Sequence, residues 1–212
     1  MIIAQSEFVK SVDFAFFFII AVSVFFLVLI TFLMIYFVFK YNRKRNPKAK
    51  NIHGSVPLEI LWTVIPTVLV LFMFYFGWIG YKEMSSIPKD AMVVDVTAQM
   101  WKFSFKYANG RVSDTLYVPV NKPVKVVLNS LDVNHAFYIP AFRVKKDVIP
   151  GRQNTAWFTA TEEGSFTIFC AEYCGLNHSY MYTQVVAIPE SNFNTWLDTG
   201  IGQLSKLAIQ SQ

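Results

Sequence analysis

This chain is short of charge. Only 16% of its 212 residues are Asp, Glu, Lys or Arg, against 54% hydrophobic and 17% aromatic, where an ordinary soluble domain carries about a quarter charged residues. The shortage is concentrated. No charged residue occurs between Asp13 and Lys40, a run of 26, nor between Glu59 and Lys82, a run of 22. Histidine and cysteine are equally scarce. There are three histidines, none of them in either apolar run, and two cysteines, which excludes a disulfide framework. No CxxCH occurs, so no c-type haem can be attached to this chain.

As helices the two runs are about 39 and 33 Å long, enough to cross the ~30 Å hydrocarbon core of a bilayer, the first with tilt. Pro66 falls in the first turns of the second run, where a neighbouring helix tolerates it. A cleaved signal peptide is the rival reading of the first run, but the run far exceeds an h-region and no small-x-small site follows it. The connection has no acid at all. It carries Lys40, Arg43, Lys44, Arg45, Lys48 and Lys50, the positive-inside pattern, and predicts a cytoplasmic turn with the N-terminus and everything after Lys82 on the outer face. These six charges exceed the formal net charge of +5, so the outer part is nearly neutral and the basic balance gives no support for nucleic-acid binding. The basic run sets topology and meets membrane lipid at the interface.

After Ser85-Ser86-Ile87-Pro88 the pattern changes from continuous to alternating. Trp101, Phe103, Phe105 and Tyr107 alternate with Lys102, Ser104 and Lys106, the period of a strand with one buried face, and Asn109-Gly110 supplies a turn. Met92 to Ala98, Val124 to Asn129, Thr155 to Ala160, Ser165 to Phe169 and Thr183 to Ile188 are further strand candidates, which together predict a β-sandwich or barrel. Near the end Ser191 is a candidate helix cap, Phe193, Trp196 and Leu197 share a helical face, and Gly200 is a stop. Residues 203–212 are expected to fray. The expected organisation is a two-helix hairpin in 1–86, a β domain in 87–190 and a helix with tail in 191–212.

Both cysteines lie in Cys170-Ala171-Glu172-Tyr173-Cys174-Gly175-Leu176-Asn177-His178-Ser179-Tyr180-Met181, which reads CxExCxxxHxxM. Two thiolates, an imidazole and a thioether suit copper rather than magnesium or calcium, and His135 offers a second imidazole. A mononuclear electron-transfer copper takes one cysteine. Two cysteines side by side can bridge two metals, so a dinuclear copper centre is expected, with His135 and His178 terminal and Met181 and the Glu172 carbonyl in the weak positions. A Cys170–Cys174 disulfide would leave the histidines and the methionine unexplained, and a zinc site of two Cys and two His would leave Met181 unexplained.

CxExCxxxHxxM preceded by DxxH resembles the dinuclear copper (copper A) site of subunit II of the haem-copper cytochrome c oxidases. The likeness extends to EILWTVIP at Glu59 to Pro66, WKFSFKY at Trp101 to Tyr107 and IPAFRVKKDVIPGR at Ile139 to Arg152, and covers the chain from the first apolar run to about Pro189. The resemblance implies a membrane-anchored all-β protein: a two-helix transmembrane hairpin followed by a cupredoxin-like Greek-key sandwich or barrel. It also implies the copper domain on the periplasmic face of a bacterial plasma membrane or the equivalent mitochondrial face. Electrons would come one at a time from a reduced c-type cytochrome and pass to haem in the catalytic haem-copper subunit I, where oxygen is reduced.

For single residues the resemblance implies electron uptake over an exposed Trp101, and a magnesium or manganese ion on the Glu172 carboxylate at the junction with the catalytic subunit. It also places Glu59 at the mouth of a proton path. Each has an ordinary alternative: Trp101 as the first core residue of its strand, Glu172 as a solvated loop carboxylate, Glu59 as a helix-start acid paired with Lys48 or Lys50. Asp132, Asp147 and Arg152 match the family pattern, yet each could be a loop charge satisfying the backbone. His53 is expected to sit at the interface without chemistry. Two other functions remain open, a structural subunit of a quinol oxidase, which the intact ligand set opposes, and a copper-binding or copper-delivery module that carries no current.

Overall fold

A computed structural model of the chain describes residues 8–48, 51 and 53–199. Two compact units divide it, one of residues 11–81 and one built from the N-terminal segment together with the chain from Lys82 onward. The expected fold class holds, with two long apolar helices followed by a β-sandwich.

The first unit is carried by α1 (Val9–Lys40) and α2 (Val56–Ser85). Each extends beyond its uncharged run, because a helix continues until its polar flanks reach water. The helices are apolar all round, with Phe17, Leu27, Val28, Phe32, Leu61 and Phe74 among the exposed side chains, the pattern of a membrane span. Phe76 of α2 meets Phe14 and Phe18 of α1 edge-on at 5.1 and 5.4 Å, so the start of α1 lies beside the end of α2, as an antiparallel hairpin requires. Since α2 begins at Val56, Pro66 lies almost three turns inside it rather than at its start. Lys50 lies outside the described residues.

The second unit is a sandwich of two five-stranded sheets. One has the order β3 (Val112–Ser113), β2 (Lys102–Tyr107), β1 (Met92–Gln99), β5 (Pro123–Ser130), β8 (Asn154–Thr159); the other has β4 (Leu116–Pro119), β10 (Tyr182–Ile188), β9 (Gly164–Cys170), β6 (His135–Ile139), β7 (Val144–Val148). Most neighbours are antiparallel, while β1 with β5 and β4 with β10 are parallel. The inward side chains alternate as expected in β1 and β2, where Val94, Val96, Ala98, Phe103 and Phe105 are buried. Phe103 of one sheet meets Phe137 of the other edge-to-face at 6.0 Å.

The structure departs from the sequence pattern in three places. β2 starts at Lys102, and Trp101 belongs to the turn that precedes it. The helix α3 (Glu190–Thr199) begins one residue before Ser191, with the Phe193 amide bonded to the Pro189 carbonyl, so Ser191 lies within its first turn and does not cap it. Four strands went unpredicted: β3, β4, β6 and β7. The expected face of α3 is present, since Phe193 and Trp196 are buried. Trp196 packs on Tyr107 and Tyr117, with centroids 5.0 and 4.4 Å away. The buried Tyr107 hydroxyl donates to the Tyr117 carbonyl at 3.0 Å and accepts the Tyr117 amide at 2.8 Å; burial pushes its ionisation well above the usual tyrosine range. Gly200 and residues 203–212 lie outside the described residues.

Candidate metal centre

The centre forms at one end of three neighbouring strands. β9 ends on Cys170 and β10 resumes just after Met181, and the intervening loop is closed at its base by the Cys170 amide bonding to the Met181 carbonyl at 3.0 Å. Closure brings residues eleven apart side by side. Within the loop, Gly175 takes φ +116°, a conformation a side chain would strain, and His178 to Tyr180 make one turn of 3-10 helix. His135 opens β6, which runs antiparallel to β9 with Phe137 opposite Cys170. The Ala171 amide bonds back to the Ala136 carbonyl at 3.3 Å. Strand pairing therefore delivers His135 to the loop from thirty-five residues away.

The donor atoms converge. One ligating atom each from His135, Cys170 and Cys174 lies within 4.8 Å of the other two. The two sulfurs are 3.7 Å apart and both cysteines are free thiols, which rules out the disulfide. His135 Nδ1 is 3.7 Å from the Cys170 sulfur and His178 Nδ1 is 3.5 Å from the Cys174 sulfur. The Met181 sulfur is 3.8 Å from that of Cys174, and the Glu172 carbonyl oxygen is 3.3 Å from the sulfur of Cys170. His135 is fully buried, the two thiols and Met181 are buried, and His178 is half-buried. Burial, and next the Cys170 thiol beside it, push the Cys174 thiol up to about 12. Two sulfurs this deeply placed become thiolates when a cation supplies the opposing charge. Two neighbouring sulfurs with one imidazole beside each, a thioether and a carbonyl are a donor set that fits a pair of copper ions.

Asp132 turns out to be more than a loop charge. Its Oδ1 is 2.8 Å from His135 Nε2 and accepts the Val133 amide at 2.7 Å, while Oδ2 accepts the Met100 amide at 2.6 Å. Burial opposes ionisation here most strongly of the single influences, but the hydrogen bonds from His135, Met100 and Val133 together outweigh it and hold the carboxyl below the usual range.

Trp101 is half-buried, neither the exposed aromatic nor the strand-core residue expected. Its indole N–H donates to the Cys174 carbonyl at 3.3 Å, and its ring lies 3.5 Å from where a β-carbon on Gly175 would stand. It is thus seated on the metal loop itself. The Glu172 carboxylate accepts from Lys145 at 2.6 Å, and that carboxylate is what raises the lysine above its usual range. Lys145 also lies 3.9 Å from Asp147. The Asp147 carbonyl accepts from the Asn154 amide group at 2.7 Å, and the Arg152 amide bonds to the Ile149 carbonyl at 3.2 Å. The sequence signals for Lys145 and Asp132 were there, as KKD in β7 and as the i, i+3 spacing of DxxH, but neither names its partner. Glu59 stands in the first turn of α2, with its amide bonded to the Ser55 carbonyl at 3.0 Å.

A family model for the periplasmic domain of cytochrome c oxidase subunit II matches residues 71–188, and one for the transmembrane domain of the same subunit matches residues 3–77. Among curated proteins, the chain is 28% identical to cytochrome c oxidase subunit 2 of Cereibacter sphaeroides over 85% of its own length and 73% of the relative's. It is 30% identical to an alternative cytochrome c oxidase subunit 2 of Bradyrhizobium diazoefficiens over 78% and 71%. Among solved structures, the periplasmic domain of subunit II of cytochrome oxidase of Bradyrhizobium japonicum is similar at 33% identity and TM-score 0.51, covering 57% of this chain and 99% of that one.

Proposed function

This chain belongs to the cytochrome c oxidase subunit II family, a two-span membrane protein with a periplasmic domain, and on that premise we propose that it is the electron-accepting subunit of a haem-copper oxidase. It takes electrons singly from a reduced c-type cytochrome and passes them to haem in the catalytic subunit I, where oxygen becomes water. The observation that carries this reading is the convergence of His135, Cys170, Cys174, His178, Met181 and the Glu172 carbonyl on one buried spot.

A pair of copper ions held there would supply a one-electron couple whose charge change is spread over two metals. Cys170 and Cys174 hold the pair, and the closed base of the loop keeps their sulfurs in register. His135 and His178 each face one sulfur. Met181, buried beside Cys174, excludes water and would be a weak ligand that adjusts the potential. Trp101, hydrogen-bonded to the Cys174 carbonyl, offers an aromatic path from the surface to the loop. Glu172 presents its carbonyl to Cys170, and its carboxylate is the candidate for a magnesium or manganese ion shared with subunit I, for which Lys145 would have to give way. Glu59, at the cytoplasmic start of α2, is the candidate opening of a proton path.

Electron paramagnetic resonance of the full chain, loaded with copper in detergent, tests the reading. One unpaired electron coupled to two copper nuclei is expected. Hyperfine structure from a single copper would overturn it.

A further inference from the structure

We propose that Asp132 is a positioning residue that joins the metal site to the electron-uptake surface: Oδ1 of its carboxylate fixes the His135 ring, and Oδ2 holds the Met100–Trp101 turn against the metal loop. The inference rests on the dinuclear copper reading above.

The contacts form a closed circuit. His135 Nδ1 faces the Cys170 sulfur while Nε2 faces Asp132 Oδ1. Oδ2 takes the amide of Met100, thirty-two residues away in sequence. The next residue, Trp101, returns to the loop through its indole N–H on the Cys174 carbonyl. The Met100 sulfur lies 3.8 Å from where a β-carbon on Gly175 would stand, so both turn residues rest on the same stretch of loop. The Leu131 amide, bonded to the Ala98 carbonyl at 3.0 Å, holds the Asp132 turn beside the end of β1. A carboxylate that only closed its own turn would need the Val133 amide and nothing more. Here it also reaches a buried imidazole and the backbone of another turn, with its side chain only 23% exposed.

Each contact has a chemical consequence. Accepting a hydrogen bond from Nε2–H fixes the tautomer in which Nδ1 carries the free lone pair toward the sulfurs. Accepting the Met100 amide fixes where Trp101 stands. The two duties use different oxygens, so they can be separated. An asparagine has one acceptor. Turned toward His135 and Val133 it keeps two bonds and sets its own N–H against the Met100 amide; turned the other way it loses two. The first orientation is favoured, so Asp132→Asn should keep His135 in place and free the Met100–Trp101 turn. Asp132→Ala should release both.

The test uses the full chain, copper-loaded in detergent, with three readouts: copper affinity, the coupling of the exchangeable His135 proton to the unpaired electron, and the rate of reduction by a c-type cytochrome against that by dithionite. Asp132→Ala should bind copper about 10- to 100-fold more weakly and lose the wild-type proton coupling. Asp132→Asn should retain copper and the proton coupling but be reduced more slowly by the cytochrome, with the dithionite rate unchanged. The proposal is overturned if Asp132→Ala keeps wild-type affinity and coupling, or if Asp132→Asn is reduced by the cytochrome at the wild-type rate. Should the alanine variant not fold, the asparagine variant decides alone. A wild-type chain without two-copper hyperfine would instead strike down the reading beneath.

Discussion

The candidate metal site has two walls of different construction. One is the loop from Cys170 to Met181, which offers five of the six candidate donors within twelve residues and is closed at its base by the Cys170 amide on the Met181 carbonyl, where the β9–β10 ladder ends. The other supplies one donor, His135, placed by the pairing of β6 with β9 and fixed by Asp132. A local wall keeps its ligands as long as the loop stays shut. A paired wall keeps its ligand only while the sandwich is intact. The first links metal binding to a short stretch of sequence, and the second links it to the stability of the whole domain.

Substitutions can separate the walls. Cys174→Ser removes one bridging sulfur from the loop and should abolish the two-copper signal, which spectroscopy and copper analysis would report; retention of that signal would break the comparison at its root. Phe137→Ala acts on the other wall, opposite Cys170 and against Phe103, and should cost about 3–5 kcal/mol of stability. Denaturant titration measures it, and copper should be lost together with the fold rather than before it. Trp101→Ala should slow reduction by the cytochrome by roughly tenfold or more while copper content and spectrum stay as they were; a fall in copper content would make the indole part of the loop's scaffold. Met181→Leu keeps the site dry and should leave copper bound with a shifted potential, read by redox titration. Total copper loss would promote Met181 to a required ligand.

The smallest effect concerns salt. The two acids nearest the donors are both committed, Asp132 to His135 and backbone amides and Glu172 to Lys145. The loop surface carries Tyr173 and Leu176, 82% and 87% exposed. Reduction by a cytochrome should therefore depend only weakly on ionic strength, and a steep dependence in stopped-flow rates would point to acids elsewhere on the surface.

The difference between the walls also decided what the sequence revealed. The loop could be read because its chemistry is local: spacing alone puts Cys170, Cys174 and His178 within nine residues of chain. The helices could be read because their apolar character is continuous. β1 and β2 alternate plainly. β6, which carries His135, does not, because four of its five residues are buried, Ala136 as well as its neighbours His135 and Phe137. β4 is likewise buried at three of four positions, and β7 is a short run with two adjacent lysines. Asp132 looked like an ordinary turn acid since its most distant partner is a backbone amide, and amides carry no sequence identity. The cap lies two residues before Ser191, because Pro189 provides the carbonyl that opens α3.

β4 lies at the margin of its sheet, with β10 on one side only. A margin of this kind invites a stray strand from another molecule. At its second residue the invitation is withdrawn: both backbone groups of Tyr117 are taken by the Tyr107 hydroxyl, and the Trp196 ring lies over the side chain. Asn109 and Arg111 in turn fasten α3 there, both donating to the Leu197 carbonyl near the helix end, at 2.8 and 3.0 Å. The helix thus works as a guard rail. It leaves the middle of that margin without a free backbone group for a second strand to pair with.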